Sequence, residues 1–276
     1  MKQAFSIILT LFLLIPAVAF SQLSIEEHLG MENLNSPKVF ESKILFAKTT
    51  KDSWNGKSFS SVTISDLNGK NQIKVTENEY DYDPKWSKDG KLISFISYRN
   101  NLQQIYIIPK LGGEPIMVSD AQNYISNYEW INEKIIAYVD DEPRDSILVA
   151  TEEKNGGGYR VGTEFYTNAL WTYNIDSGTK KKITNGSYRI IELDISEDGK
   201  KLAVVAAKNY DTYESITNSW IEVIDIESRS TIYKFNGANS LNNLKFSSSG
   251  KQLAFIGSGK GFASNDGLFI ASIQSG

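Results

Sequence analysis

Few residues of this 276-residue chain have the types and spacing that enzyme chemistry requires. A Ser-His-Asp triad needs a histidine that a carboxylate orients against a nucleophile. The single histidine, His28, lies in a polar stretch near the amino terminus, and we interpret it as a solvated surface residue. No Gly-x-Ser-x-Gly nucleophile elbow occurs, and one histidine without cysteine is too few for a zinc site. The sequence therefore predicts no catalytic residue, metal or cofactor in this chain.

Two further groups of residues have simpler explanations than chemistry. Asp81, Asp83 and Asp89 could be imagined as calcium ligands, but their spacing is not that of an EF-hand loop. Roles in turns and at strand ends explain them better. The three glycines at 156–158 are not followed by Gly-Lys-Ser/Thr, so they do not form a phosphate loop. We interpret them as a loop tip.

The strongest binding candidates are Arg160, Glu164 and Tyr166, which we interpret as speculative substrate-binding residues. They belong to a predicted insertion at 140–168, and long insertions in a regular array often lie on its working face. Their charges could bind a peptide terminus, whereas the simpler alternative is a solvated loop. Further charged and aromatic residues lie in this insertion or in equivalent loops: Glu152, Glu153, Trp54, Phe165 and Tyr213. They could contribute to a recognition surface, and the alternative is that they only pack against the protein.

A repeated segment dictates the elements that must position these loops. Residues 83–95 (DPKWSKDGKLISF) return in altered form at 193–204 and 244–255. Each copy has an apolar anchor, a serine, a turn closed by glycine, a lysine and an apolar strand. Repetition at about 40–50 residues is typical of propellers and other arrays. Asp89-Gly90 predicts a tight hairpin turn of type I′, whose central residues need positive φ.

The strand after each turn is apolar on both faces, as a strand buried on both sides should be. In the second unit Leu92 and Ile96 point one way, and Ile93 and Phe95 the other. A sheet sandwiched between two neighbours has this pattern, which favours a propeller over an open sandwich. We predict an all-β chain of four-stranded blades with about five units, the last incomplete: 38–77, 80–120, 126–185, 190–236 and 242–276.

The chain ends after the predicted third strand of the fifth unit. Terminal repeats of an array normally need a cap or ring closure, because an open blade exposes a sheet edge. We therefore expect residues 38–276 to be a partial propeller, the amino-terminal part of a longer protein.

The amino terminus has the layout of a secretory signal peptide over residues 1–21, with Lys2, an apolar run and small residues at its end. A membrane anchor is the alternative, but the run is short for a span. Cleavage after Ser21 is preferred over cleavage after Ala19. We expect an exported protein, periplasmic or extracellular, with no membrane contact once the signal is removed. Residues 22–37 are expected to form a segment with one short helix at 24–33.

The bulk composition limits the classes of partner that the chain could bind. The chain has 29 Lys and Arg against 33 Asp and Glu, which gives a net charge of −4 and argues against a nucleic-acid surface. It contains no cysteine, so it has no disulfide despite the expected export.

Residues 84–95, continued at 104–106 and 112–114, resemble the P-x-W-S-P-D-G-K-x-I-A-F blade repeat. That repeat is found in TolB-like propellers and in the amino-terminal propellers of prolyl oligopeptidase-family serine peptidases. TolB-like proteins carry an α/β domain before the propeller, whereas only about 15 residues separate the signal from the first predicted strand here. Residues 159–184 are similar to the third-blade region of acylaminoacyl-peptidase-like members, and residues 66–69 resemble their D-L-D-G-G segment. The resemblance therefore favours the peptidase family, in its acylaminoacyl-peptidase and dipeptidyl-peptidase branch.

The resemblance implies a serine peptidase whose carboxy-terminal α/β-hydrolase domain carries the triad, while the propeller gates access for short peptides. No residue here matches the family's catalytic positions, so the catalytic domain is expected to be absent from this chain. Our first interpretation is the substrate-gating propeller of an exported serine peptidase that cleaves short peptides. The alternative is a non-catalytic TolB-like periplasmic propeller that binds a protein or a small molecule. A third interpretation is a structural fragment with no activity of its own.

Overall fold

The structure is a computed structural model that describes residues 31–51, 57–78, 80–99, 102–121, 124–143, 146, 150, 154, 167–208, 212–259 and 266–273. The expected signal peptide at 1–21 and most of the expected helix at 24–33 lie outside these residues. Strands make up most of the regular structure in the described chain, and the helix whose bounds are described, α1 (Thr212–Thr217), follows the second strand of the fourth sheet. Within this part of the chain, no helix is long and apolar enough to cross a membrane.

The described strands form five antiparallel sheets, and each sheet is built from strands that are consecutive in the chain. Four sheets have four strands, and the fifth has three among the described residues. The strands are, for blade 1, β1 (Asn33–Phe40), β2 (Lys43–Lys51), β3 (Ser58–Asp66) and β4 (Ile73–Lys74); for blade 2, β5 (Asp81–Trp86), β6 (Leu92–Arg99), β7 (Leu102–Pro109) and β8 (Ile116–Met117); for blade 3, β9 (Ile125–Trp130), β10 (Ile135–Asp141), β11 (Asn168–Asn174) and β12 (Lys180–Lys182); for blade 4, β13 (Arg189–Ile195), β14 (Lys201–Ala207), β15 (Trp220–Asp225) and β16 (Thr231–Phe235); and for blade 5, β17 (Asn239–Phe246), β18 (Gln252–Ser258) and β19 (Asp266–Ser272).

Successive blades pack face to face, and their first strands contact one another along the inner side. The predicted two-sided burial of β6 is confirmed. Ile93 and Phe95 pack on blade 1 against Leu45, whereas Ile96 packs on blade 3 against Tyr138. The middle strands of blades 2, 3 and 4 are therefore sandwiched between two neighbouring sheets, as in a propeller.

The first blade begins earlier than the sequence suggests, because β1 includes residues 33–37 of the segment expected to precede the propeller. Its apolar residues, at 34, 37, 39 and 40, do not alternate with polar ones, and its side chains are half-exposed or exposed, so no pattern reveals the strand. It also contains Pro37, which has no N–H for the ladder. A β-bulge between Asn35 and Lys38, with Ser36 at φ 51°, accommodates that proline. Main-chain pairing with β2 holds the strand.

The repeated serine and aspartate belong to a hairpin network. The Ser87 hydroxyl donates to Asp89 Oδ1 at 2.8 Å and accepts from the Leu92 N–H at 3.0 Å. The expectation of a type I′ turn is wrong, because Gly90 has a φ of 66° while Asp89 does not have positive φ. The Gly90 N–H donates to the Ser87 carbonyl, so the loop is longer than two residues and only its closing glycine is left-handed.

Side chains also join the inner strands of neighbouring blades. Lys85 Nζ on β5 donates to the Tyr128 carbonyl oxygen on β9 at 2.6 Å and lies 2.7 Å from Glu129 Oε1. Because such bonds fix a side chain to a main-chain atom of the next strand, they set the position of one blade against the next. Other inner-strand side chains act similarly: Trp86 on Lys38, Tyr128 on Asp83, Asn127 on Ile191, Glu192 on Asn243 and Leu244, and Asp194 on Phe246.

Candidate functional site

One rim of the propeller carries its long connections. Because the strands alternate in direction, the loops between second and third strands and those that lead into first strands share one end of every sheet. These loops are at 51–58, 99–102, 141–168, 207–220 and 258–266, and we call this end the long-loop rim. The serine-containing hairpins lie at the opposite end. Functional residues of a β scaffold concentrate on such loops.

The binding residues suggested by the sequence, Arg160, Glu164 and Tyr166, lie outside the described residues, as do Glu152, Glu153, Trp54 and Phe165. Tyr213 lies in α1. What the structure does describe is the base of the predicted insertion, formed by the end of β10 and the start of β11. There the Glu142 N–H donates to the Thr167 carbonyl at 3.0 Å, which closes the base.

Asn168 attaches this base to blade 4. Its side chain is buried, accepts from the Ile190 N–H at 2.6 Å and donates to the Ile190 carbonyl at 3.1 Å. The Asn168 N–H also donates to the Tyr188 carbonyl at 3.3 Å. An amide that satisfies both main-chain groups of one residue substitutes for a strand neighbour. The insertion of blade 3 is therefore anchored on the first strand of blade 4.

Charged groups surround this anchor. Burial raises the pKa of Asp141 to about 6, and the neighbouring Asp140 carboxylate adds to the rise, while Arg189 and the Asn168 amide oppose it. Arg189 Nη1 donates to the Ser215 hydroxyl of α1 at 3.4 Å. Glu142 Oε1 lies 2.5 Å from Lys182 Nζ. The base of the insertion is thus polar, and most of its charged side chains are held by hydrogen bonds or ion pairs.

Trp220 continues the surface toward blade 5. Tyr188 meets it edge to face, with ring centroids 5.5 Å apart, and Lys234 Nζ lies 4.6 Å from the centre of the indole ring. An open cavity of about 450 Å³ lies beside this tryptophan. Its lining is polar except for the indole: Thr217, Asn218, Ser219, Trp220, Lys234, Asn236 and Asn239.

Exposed aromatic side chains occupy the same rim at blades 2 and 3. Tyr80, Tyr98, Leu102 and Tyr124 are each about half exposed. The Tyr98 N–H donates to the Tyr80 carbonyl, whereas Leu102 pairs with Arg99 and so lies on the opposite face of the blade 2 sheet from Tyr98, at the same end. We call these four residues the rim patch. This patch was not predicted from the sequence, although large apolar and aromatic residues at the loop ends of strands were a visible signal.

The arrangement is suited to recognition. The described residues include neither histidine nor cysteine. No serine or threonine hydroxyl among them therefore has a histidine beside it to act as its base. Within the same residues, no group of three His, Cys, Asp or Glu side chains could hold a metal ion. The three aspartates weighed as calcium ligands have other partners. Asp81 faces Arg99, Asp83 faces Lys85, and Asp89 belongs to the hairpin, where Ser87 and Lys91 lower its pKa to about 2.

Solved structures with the same arrangement of sheets identify the architecture. An acylaminoacyl peptidase from Pyrococcus horikoshii superposes with a TM-score of 0.62 at 14% identity, over 91% of this chain and 40% of that chain. The fold is a β-propeller. The propeller domain of the Trilobed protease from Pyrococcus furiosus matches with a TM-score of 0.58 at 15% identity, over 87% of this propeller and 68% of that chain.

A TolB structure from Agrobacterium tumefaciens matches this propeller with a TM-score of 0.55 at 15% identity, over 88% of this chain and 81% of that chain. No family model and no curated protein sequence matches the chain. This propeller thus spans about two fifths of the length of the acylaminoacyl peptidase but most of the length of TolB.

Proposed function

We propose that this propeller is the substrate-gating domain of an exported serine peptidase of the prolyl oligopeptidase family, which cleaves short peptides. The observation that carries the proposal is the likeness to the acylaminoacyl peptidase, which extends over 91% of this chain but only 40% of that chain. A catalytic α/β-hydrolase domain outside these residues would supply the nucleophile, the histidine and the oxyanion hole. The signal-like layout of residues 1–21 supports export.

The long-loop rim fits this role because it offers both kinds of surface that a gating domain needs. The rim patch of Tyr80, Tyr98, Leu102 and Tyr124 is apolar and half exposed, which suits a docked domain. The polar base of the insertion, around Asp141 and Arg189, suits the termini and main-chain groups of a peptide. Bonds such as that from Lys85 to the Tyr128 carbonyl hold the inner strands in place. Inner strands fixed in this way would help to admit an extended peptide and exclude a folded protein.

The test is an assay of the complete gene product beside the 276-residue chain. We expect the complete product to react with a fluorophosphonate probe and to hydrolyse N-acetylaminoacyl p-nitroanilides and short peptides, but not folded casein-sized proteins. The 276-residue chain should show no turnover. A matched control replaces the labelled serine by alanine, which should abolish both labelling and hydrolysis. A complete product that neither binds the probe nor hydrolyses any of these substrates would refute the proposal.

A second function is favoured by a different observation, the match over 81% of the TolB structure. In this alternative the propeller is non-catalytic and uses the long-loop rim to bind a protein or a small molecule. It predicts no probe labelling of the complete product. It also predicts a co-purifying partner that is lost when Tyr98 and Tyr124 are both replaced by serine, whereas loss of binding by replacing Leu111 at the opposite end would argue against it.

A further inference from the structure

The cavity beside Trp220 lies at the long-loop rim, between the outer strands of blade 4 and the first strand of blade 5. Residues 217–220, from the end of α1 to the start of β15, form one wall, and residues 234–239, from β16 to β17, form the other. Its volume is about 450 Å³. Small-ligand sites measure roughly 300–1,000 Å³, so the cavity has room for part of a peptide or for a small molecule.

Lys234 gives this cavity a positive charge that an aromatic ring helps to position. Its Nζ lies 4.6 Å from the centre of the Trp220 ring, and it forms no ion pair with a carboxylate among the described residues. Within the same part of the chain, no acidic side chain lines the cavity. Glu222 pairs with Lys234 in the strand register, but its carboxylate accepts from Trp220 Nε1 and from the Thr231 hydroxyl. The cavity therefore favours an anionic group.

Neutral hydrogen-bonding groups complete the lining. The side-chain amides of Asn236 and Asn239 have no hydrogen-bond partner in the described part of the chain. An amide both donates and accepts, which matches the N–H and C=O groups of a peptide main chain. Ser219 also lines the cavity and is 3% exposed, and no described residue bonds to its hydroxyl. Because a buried hydroxyl without a partner costs free energy, a ligand that bonds to it removes that cost.

We infer that this cavity binds the carboxy-terminal carboxylate of a short peptide. Lys234 Nζ would donate a charge-assisted hydrogen bond to the carboxylate, and the amides of Asn236 and Asn239 would bond to the main chain of the last residues. One cation among neutral donors suits a carboxylate better than a phosphate group, which carries more negative charge. The choice of a peptide rests on the proposed function, whereas the choice of a carboxylate rests on the lining of the cavity.

The cavity adjoins the base of the blade 3 insertion through two aromatic rings. Trp220 contacts Tyr188 edge to face, and the Tyr188 carbonyl accepts from the Asn168 N–H. A peptide whose carboxy terminus lies in the cavity would thus have the insertion beside it on the same rim. Because the internal segments of a long chain have no carboxy terminus, such a site would select for short peptides.

The experiment is isothermal titration calorimetry of the 276-residue chain with acetyl-trialanine and with acetyl-trialanine amide. We expect the acid to bind roughly ten-fold more tightly than the amide, because only the acid offers a charged partner to Lys234. Added salt should reduce this difference. Equal affinities, or no binding of either peptide, would overturn the inference. So would displacement of the acid by an equal concentration of acetate or inorganic phosphate, since the cavity would then be a site for small anions.

Substitutions locate the site. Lys234→Gln should lower the affinity for the acid roughly ten-fold and leave that for the amide unchanged, whereas Lys234→Arg should retain most of the affinity for the acid. Ser219→Ala should weaken binding several-fold without lowering the Tm. Lys110→Gln, at an exposed position of the opposite rim, is the matched control and should change neither affinity. Unchanged binding of the acid by Lys234→Gln would overturn the inference, because the peptide would then lie elsewhere.

This outcome can be separated from that of the proposed peptidase activity. Fluorophosphonate labelling of the complete gene product tests the activity and does not depend on the cavity. Labelling without a preference for the acid would refute the carboxylate site and leave the proposed function standing. A preference for the acid without labelling would support the carboxylate site and refute the peptidase.

Discussion

Lys85 Nζ donates to the Tyr128 carbonyl oxygen at 2.6 Å and lies 4.6 Å from the centre of the Tyr128 ring. The two residues are on the inner strands of blades 2 and 3, and Glu129 completes the set with a contact of 2.7 Å. Lys85 is buried, and its charge is balanced by these neighbours and by Asp83 at 3.6 Å. This contact holds two blades together at the inner wall of the propeller.

Replacing this lysine by methionine should therefore destabilise the protein. Lys85→Met keeps most of the apolar stem but leaves the Tyr128 carbonyl and the Glu129 carboxylate without their cation. We expect the free energy of unfolding to fall by about 3 kcal/mol, measured by urea denaturation. Lys88→Met, at an exposed position of the neighbouring hairpin, is the control and should change it by less than about 0.5 kcal/mol. A loss of that small size for Lys85→Met would show that the contact contributes little.

Gly90 closes the blade 2 hairpin against the first blade, and its substitution tests that approach. It has a φ of 66°, and a Cβ atom placed on it would lie 2.1 Å from Phe40 Cε1. Gly90→Ala should cost roughly 3 kcal/mol through backbone strain and overpacking together. Gly69→Ala is the matched control, since Gly69 has a φ of 75° with no atom near its Cβ position. Its cost should be roughly 1 kcal/mol, from strain alone. Equal losses would mean that the Phe40 ring moves aside freely.

Asp141 should make stability depend on pH at the base of the insertion. Burial and the Asp140 carboxylate raise its folded-state pKa to about 6, so the folded protein binds this proton more tightly than the unfolded chain. The contribution of Asp141 is therefore most favourable below pH 4 and is lost as pH rises through 6. Asp141→Asn should be more stable than the parent at pH 8 by about 1 kcal/mol, after allowance for solvent screening, and this advantage should shrink at pH 5.

A control of opposite sign is available for the pH experiment. Lys43, with help from Asn71, holds the pKa of Asp66 below its usual value, so the ionised form stabilises the fold. Asp66→Asn should therefore be less stable than the parent at pH 8. Thermal denaturation at pH 5 and pH 8 measures the stability of both asparagine variants. If both asparagine variants moved in the same direction at pH 8, the local explanation for Asp141 would fail.

The rim patch should matter for function and little for folding. Tyr98 and Tyr124 are about half exposed, so replacing both by serine should leave the Tm of the complete gene product within about 2 °C of the parent. If the proposed peptidase docks its catalytic domain on this patch, kcat/KM for acyl-peptide substrates should fall several-fold. Leu111→Ser at the opposite rim should leave kcat/KM unchanged. Unchanged turnover in the double tyrosine variant would place the docked domain elsewhere.

The sequence predicted some elements of the fold better than others, and the reasons are physical. The apolar run of β6 predicted both of its buried faces, because its own side chains form both interfaces. Strand β1 was missed, because main-chain pairing holds it and its apolar residues, at 34, 37, 39 and 40, do not alternate with polar ones. The type I′ turn was wrong at Asp89, because the serine hydroxyl and the aspartate carboxylate stabilise a longer loop.

The candidate site was less predictable than the fold. The insertion between β10 and β11 was visible as an interruption of the repeat, and the structure places its two ends, Asp141 and Asn168, at the long-loop rim. Its anchor was not visible, since Asn168 and Ile190 are 22 residues apart and only packing of blade 3 on blade 4 brings them together. The same holds for the rim patch, which joins loop ends of two blades.

The sequence by itself determined the unit of this protein, because the anchor, turn and buried strand of each repeat are local features of residue type and order. Only the tertiary structure decided how the units act on one another. It pairs Lys85 with Tyr128, raises the pKa of Asp141 and attaches Asn168 to Ile190. Each of these properties depends on the atoms that a neighbouring blade places within a few ångströms, and such distances are not written in the order of residues along one strand.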